Sequence, residues 1–256
     1  MKILLTNDDG AHSPGLIALA AALDRLGEVT IVCPAEERSG VSHAITHLTP
    51  VRCASVTLAD GRPATTVSGT PADCVKFGLY QVLEAPPDLV VSGFNLGINA
   101  GIDLFYSGTV AAALEGGLNG VRSVAFSTSR ANADRLPDAA EIALSALERI
   151  LADSASGPGV FNVNIPELRN GATPALCFTC QSTTFSPGHY LRSEGPRGRT
   201  VHWLAWEADD GTHRDDSDVA ALKAGRVSVT PLALSLTDPV ALQALANLAN
   251  EYHEKT

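Results

Sequence analysis

No stretch of this 256-residue sequence approaches the ~18 consecutive apolar residues of a membrane-spanning helix. The opening "MKILL" is too short for the apolar core of a secretory signal, so the expected location is the cytoplasm, with no membrane partner. Positive charge is scarce: 18 Lys and Arg stand against 28 Asp and Glu, a formal net charge of −10. That disfavours the broad basic surface needed to hold a nucleic-acid polymer and leaves a small anion bound locally, through a metal or backbone amides. The cysteines are few and odd in number (Cys33, Cys53, Cys74, Cys177 and Cys180), which fits free thiols in a reducing compartment better than a disulfide framework. Cys177 and Cys180 form a C-x-x-C, but no second pair completes a zinc site, and the surrounding "ALCFTC" reads as a strand.

Several catalytic signatures are also missing. The first strand is not followed by G-x-G-x-x-G, and no G-x-x-x-x-G-K-[ST] occurs anywhere, which disfavours a dinucleotide enzyme and a P-loop ATPase. There is no G-x-S-x-G elbow for an α/β-hydrolase. His43 and His47 are four apart, but without a glutamate after the first they lack the H-E-x-x-H pattern. The D-x-D spacing of haloacid-dehalogenase phosphatases is absent, because the aspartates here are adjacent.

What is present is an alternation of strands and helices. Ile3 to Leu5 is a short apolar run, followed by a helix with Ser13 placed to cap it, Pro14 at its first position and Gly27 at its stop. "VTIVCP", Val29 to Pro34, is a β-branched strand, completing a right-handed βαβ unit with parallel strands. The spacing predicts a hairpin turning at Asp60-Gly61, a helix "TPADCVKFGLYQVL", a strand "DLVVSG", a helix from about Thr109 and a strand "SVAFST". A helix "PDAAEIALSALERILAD", a strand "VFNVNIP", a late strand "RVSVTPL" and a final helix from about Pro239 to Tyr252 follow. The fold class is therefore α/β: a Rossmann-like, doubly wound, mostly parallel sheet in a single domain over 1–256. Within it, residues from about 167 to 216, with strand candidates near 175–181 and 200–206, read as an extended β appendage.

In such sheets ligands bind beyond the carboxyl ends of the strands, so residues just after each strand are informative. Asp8 and Asp9 end the first strand. They would repel a phosphate unless a cation stood between, and hard oxygen ligands of this kind suit Mg²⁺ or Mn²⁺. Alone, the pair also reads as a helix cap beside a solvated charge. After the second strand, "RSGVS" offers Ser39 and Ser42 around Gly40, which permits a turn and close backbone approach, although a plain glycine-serine turn fits as well. Asn95 and Asn99 in "NLGIN" can give a carbonyl oxygen to a metal or an amide to a phosphate, or simply hold a tight loop. Ser107, Gly108 and Thr109 stand where a helix begins, and free N–H groups there can seat an anion.

Taken together, "ILLTNDDG", "RSGVSHAIT", "GTPADCV", "DLVVSGFNLGINAGIDLFYSGTVAAALEG", "FNVNIP" and "SDVAALKAGRVSVTPL" resemble the survival protein SurE family of metal-dependent nucleotidases, in order and along almost the whole chain. The resemblance implies a cytoplasmic 5′-nucleotidase that releases phosphate from nucleoside 5′-monophosphates, with 3′-nucleotidase and polyphosphatase activity often beside it. It implies one divalent ion, Mg²⁺ or Mn²⁺, on Asp8, Asp9, Ser39 and Asn95, and a phosphate site at Asn99, Ser107, Gly108 and Thr109, with Gly40 and Ser42 near the pocket. Asp8 and Asp9 are the catalytic candidates; the general base is open, with Asp9 the first choice, and so is a phosphoserine intermediate. Phe94 stands where the family usually has isoleucine, and Ala111 where glycine is common. Residues from about 183 to 215 match poorly, where the family places a hairpin arm and C-terminal segment for dimerisation; a homodimer or homotetramer is the expected assembly. Two rivals are a non-catalytic nucleotide-sensing module on the same fold and a metal-dependent transferase acting on a nucleotide sugar.

Overall fold

Ile3, Leu4 and Leu5 are apolar toward both faces of their strand, and all three are buried, as a central strand covered by helices on both sides requires. The structure, a computed structural model, describes residues 1–152, 159–169, 172–185, 187–206 and 211–254. β1 (Lys2–Thr6) leads into α1 (Pro14–Leu23), capped by Ser13, and the chain returns as β2 (Glu28–Pro34), parallel to β1. The expected hairpin is β3 (Cys53–Thr57) with β4 (Pro63–Val67), antiparallel, its turn allowed by Gly61 at φ 86°. α2 (Pro71–Phe77) starts with a capping box in which Thr70 and Asp73 satisfy each other's backbone N–H groups.

The chain continues through β5 (Leu89–Leu96), α3 (Gly108–Leu118), β6 (Ser123–Thr128), α4 (Leu136–Ala152) and β7 (Val160–Ile165). It then forms β8 (Leu176–Phe178), β9 (Gly188–Glu194), β10 (Thr200–Trp206), α5 (Asp218–Lys223), β11 (Val227–Leu232) and α6 (Pro239–Glu254). Nine strands make one sheet in the order β3-β4-β2-β1-β5-β6-β7-β11-β8, antiparallel only at β3–β4 and β7–β11. α1 and α4 pack together on one face and α2 with α3 on the other. Because the chain winds outward from β1 to β2 and then resumes at β5 on the other side of β1, the switch point lies between β1 and β5. That is where Asp8 and Asn95 emerge.

Four expectations shift. The predicted second helix ends at Phe77 and passes into a π-helical turn, Gly78–Val82, beginning at the glycine whose Cβ would meet Leu4 Cδ1 and Cδ2 at 2.8 Å. β5 runs past Gly93 to Leu96, its register against β6 shifting between Ser92 and Asn95, so Asn95 lies in the strand rather than in the loop after it. Of the stretch 167–216, β8 joins the main sheet beside β11, while β9 and β10 form a separate two-stranded sheet. β9 itself was not expected: all seven of its residues are exposed, so no buried face marks it in the sequence. Asp153, the expected end of α4, and residues 170, 171, 186 and 207–210 of the appendage lie outside the described residues.

One buried carboxylate ties the α2–α3 face to the loop after β2. Glu115, 3% exposed, accepts from His43 Nε2 (3.0 Å), Lys76 Nζ (2.8 Å) and Asn119 Nδ2 (2.9 Å). The His43 hydrogen bond, opposed by burial and reinforced by Lys76 and Asn119, holds its carboxyl down at about 2. A depressed carboxylate adds stability above its unfolded value near 4.5, and that contribution is lost as pH falls from 4.5 toward 2. Glu115→Gln is therefore expected to lower stability by about 2 kcal/mol at pH 7, the deficit shrinking below pH 4 as the wild type protonates. Urea melts of both proteins between pH 2.5 and 7 check this.

Candidate active site

The loop after β1 is built to hold two carboxylates close together. Asn7, fully buried, donates from Nδ2 to Gly10 O (2.9 Å) and accepts from Gly10 N–H at Oδ1 (3.2 Å), bracketing Asp8 and Asp9 in a tight loop. Gly10 has φ 86°, and a Cβ there would stand 3.2 Å from Pro34 O, so the turn needs glycine. Asp8 is 4% exposed; its Oδ1 accepts from Thr109 Oγ1 at 2.7 Å, and its carbonyl accepts from Arg38 N–H at 2.7 Å. Asp9 is half-buried beside it, with a long contact from Ser13 Oγ at 3.5 Å. The helix start at Ser107 comes close to this loop because residue 108 is glycine: a Cβ would lie 3.2 Å from Asp8 Cβ, 3.2 Å from Arg38 O and 3.1 Å from Pro71 Cγ. Ser107 Oγ caps α3 by accepting from Val110 N–H at 3.1 Å.

These elements open onto a cavity of about 920 Å³. Asp8, Asp9, Ser39, Asn95, Asn99 and Ser107 all line it, as does Gly40. Gly108 and Thr109 stand behind that wall, Thr109 fully buried with its hydroxyl turned to Asp8. Ser42 is not part of the wall: its Oγ donates to Phe105 O (2.6 Å) and its N–H to Tyr106 O (3.0 Å), pinning the loop after β2 to the segment before α3. Asn95 donates from Nδ2 to Gly97 O (2.8 Å), which turns its amide so that Oδ1 is the free end. Asn99 is held by a lattice of amides: its N–H donates to Asn164 Oδ1 (2.9 Å), and its carbonyl accepts from Asn162 Nδ2 (2.7 Å) and Asn164 Nδ2 (2.9 Å). Its own Nδ2 donates to Ser127 Oγ at 2.9 Å.

The two carboxyls are held where ionisation is costly. Burial raises the Asp8 carboxyl above the ordinary range despite the Thr109 hydrogen bond. Burial first, then the charges of Asp8 and Glu37, push Asp9 up to about 6. Two carboxylates that resist ionisation beside each other gain most from a shared positive charge. Among the described residues no group of three His, Cys, Asp or Glu could hold a metal, so the donor set here is two carboxylates with neutral amide and hydroxyl oxygens. That hard, all-oxygen set fits Mg²⁺ or Mn²⁺ and not a softer ion.

Other residues of the site were not singled out in the sequence. Glu37 lines the cavity and accepts from Ser39 Oγ at 2.8 Å. Asp218, fully buried, accepts from Gly101 N–H (2.8 Å) and Ser182 N–H (2.9 Å), fastening the loop after β5 to α5 and to the segment before β9. Asn162 and Asn164 support Asn99 from β7, and the alternation of the two asparagines in "FNVNIP" was the available signal, since buried asparagines in a strand need partners. At the mouth stand Tyr106, Phe185, Leu204 and Trp206, with Tyr106 and Trp206 rings 6.1 Å apart between centroids and tilted by 35°. Nothing in the exposed β10 marked Trp206 for the cavity.

Comparisons with known proteins point to one family. The profile of the family described as Survival protein SurE matches residues 3–186. The chain is 42% identical over 238 residues to the 5′-nucleotidase SurE of Rhodopirellula baltica, covering 93% of this chain and 94% of that protein. It is 41% identical over 247 residues to the 5′-nucleotidase SurE of Moorella thermoacetica, covering 96% and 95%. Among solved structures, the SurE protein from Aquifex aeolicus superposes with a TM-score of 0.82 at 35% identity, covering 97% of this chain and all of that one.

Proposed function

The chain belongs to the survival protein SurE family, and from that membership and the cavity described above we infer that it is a phosphoric monoester hydrolase, a 5′-nucleotidase that converts nucleoside 5′-monophosphates to nucleoside and phosphate. One observation carries the reading at residue level: Asp8, Asp9, Asn95, Ser39 and the Ser107 helix start, far apart in sequence, face one cavity at the β1/β5 switch point.

Asp8, Asp9, Asn95 and Ser39 would hold one divalent cation, Mg²⁺ or Mn²⁺. Bound there, such an ion supplies Lewis-acid stabilisation of phosphoryl charge and lowers the pKa of water. Thr109 fixes the Asp8 carboxylate by its 2.7 Å hydrogen bond, and Gly108 lets the helix start approach it. At the start of α3 the Ser107 hydroxyl and the Gly108 N–H would donate to phosphoryl oxygens, where the helix dipole favours negative charge, while the Val110 N–H is held by Ser107 and Thr109 serves Asp8. Asn99, locked by Asn162 and Asn164, presents a wall that need not reorganise as charge develops. Asp9, half-buried on the cavity wall beside Asp8, is the first candidate to take a proton from the attacking water.

The aromatic mouth favours a nucleoside over inorganic polyphosphate as the group attached to the phosphate. Tyr106 adjoins Ser107, so a nucleoside on a phosphate seated at the helix start reaches the Tyr106–Trp206 pair. Trp206→Ala is expected to raise KM for adenosine 5′-monophosphate about tenfold with kcat nearly unchanged, given ~1–3 kcal/mol for a base stacked on an aromatic ring. Turnover of glycerol phosphate, which has no base, should not change; steady-state kinetics on both substrates check this.

The test of the activity is a panel of nucleoside 5′- and 3′-monophosphates, tripolyphosphate and a nucleotide sugar, read by released phosphate and by binding. Saturable binding without turnover would favour the sensing module, and release of nucleotide only with an acceptor present would favour the transferase. We place the enzyme in the cytoplasm on its five free cysteines; among the described residues no helix is long and apolar enough to cross a membrane. Leu191 and Trp203, paired on the face of the β9–β10 hairpin opposite Leu204 and Trp206, leave apolar surface exposed, which supports its use between copies of the chain in a homodimer or homotetramer.

A further inference from the structure

The charges around the cavity do not balance for a phosphate dianion. Asp8 and Asp9 together would neutralise one divalent cation, and of the other charges on the lining Glu37 and Asp103 add two negative ones against one positive from Lys223. A phosphate monoester, doubly charged at neutral pH, would enter a site with no net attraction unless a fixed cation stood near. Arg130 is such a cation. It follows β6, at the start of the 3₁₀ turn Arg130–Arg135 that leads into α4, and it lines the cavity.

Its placement is specific. Arg130 Nε donates to Leu96 O at 3.2 Å, next to Asn95. The bond orients the guanidinium and leaves both terminal nitrogens without a hydrogen bond or ion pair to a described residue. α3 packs with α2 on one face of the sheet, and the turn Arg130–Arg135 packs against α4, which with α1 covers the other.

We propose that Arg130 is a substrate-binding residue that holds the phosphoryl group of the nucleotide from the side opposite the Ser107–Thr109 helix start. The planar guanidinium, braced at Nε, offers its two terminal nitrogens to phosphoryl oxygens. This rests on the phosphomonoesterase reading, and wild-type turnover separates the two: an inactive wild type overturns that reading, whereas the inference on Arg130 is judged against an active one.

The experiment is calorimetric titration of inorganic phosphate into Mn²⁺-saturated wild type, Arg130→Gln and Arg130→Lys, with Mn²⁺ affinity and melting temperature measured on each. Arg130→Gln should bind phosphate about 30-fold more weakly and lose a similar factor in kcat/KM, with Mn²⁺ affinity equal to or tighter than wild type. Arg130→Lys, which keeps the charge and loses the planar fork, should fall about midway. Phosphate affinity within twofold of wild type in Arg130→Gln would overturn the proposal. So would equal losses in both variants accompanied by equal drops in melting temperature, which would assign the residue to bracing Leu96 alone.

Discussion

Replacing Asp8 with asparagine abolishes nucleotide hydrolysis, by about 10³-fold in kcat/KM, and leaves the fold at least as stable as before. The two halves of this expectation have one cause. Asp8 is 4% exposed, and burial raises its carboxyl above the ordinary range even though Thr109 donates to it at 2.7 Å. A carboxylate whose pKa is raised by folding is a stabilising influence only while protonated; as pH rises through its native value, ionisation works against the fold. Asparagine keeps the shape and an acceptor for Thr109 Oγ1, and it removes a charge that the metal-free protein holds at a cost. What asparagine cannot do is neutralise a divalent cation. Phosphate-release assays and thermal melts on the metal-free proteins at pH 7 check both halves: loss of activity with an equal or higher melting temperature. A variant inactive because it had unfolded would count against this explanation.

Gly93→Ala is expected to destabilise the protein by about 3–4 kcal/mol, lowering its melting temperature by roughly 6–15 °C. Gly93 has φ 139°, a conformation that side chains disfavour, and a Cβ there would lie 2.4 Å from the carbonyl oxygen of Phe126 on β6. That contact is backbone within a fully buried strand pair, so relief requires β5 and β6 to separate. The register between them shifts across this position, between Ser92 and Asn95, and Asn95 faces the cavity just after it. The same substitution should therefore reduce kcat/KM at temperatures where the variant is still folded. Circular-dichroism melts and kinetics at 15 °C check the pair of effects, and an unchanged melting temperature would show that the strand tolerates a side chain at this position.

Much of the architecture was legible because burial imposes a period. Parallel strands covered on both faces read as apolar runs, Ser13 and Thr70-Pro71 announced their helices, and Asp60-Gly61 its hairpin. β9 escaped because a strand exposed on both faces carries no such period. The sequence pattern ends this strand at Gly93 and puts Asn95 after it; a glycine there reads as a stop, whereas in the structure it allows the close approach of β6 that carries the strand on.

At the site, the rule that ligands sit beyond strand ends brought together the residues that line one cavity. It did not separate wall from support. Thr109 lies 101 residues from the Asp8 carboxylate it bonds, Ser42 turns away to Phe105, and Asp218 acts on Gly101 from 117 residues further along the chain. Such pairings depend on which elements the sheet order sets side by side, and no local pattern encodes them.

The most direct measurement of the central claim is the rate of phosphate release from adenosine 5′-monophosphate by the purified protein after exhaustive chelation, and again after Mn²⁺ or Mg²⁺ is restored. If Asp8, Asp9, Ser39 and Asn95 hold the ion that makes this cavity a phosphomonoesterase site, release is negligible in the chelated protein and returns in full with the metal. Release that continues undiminished after chelation would contradict the account.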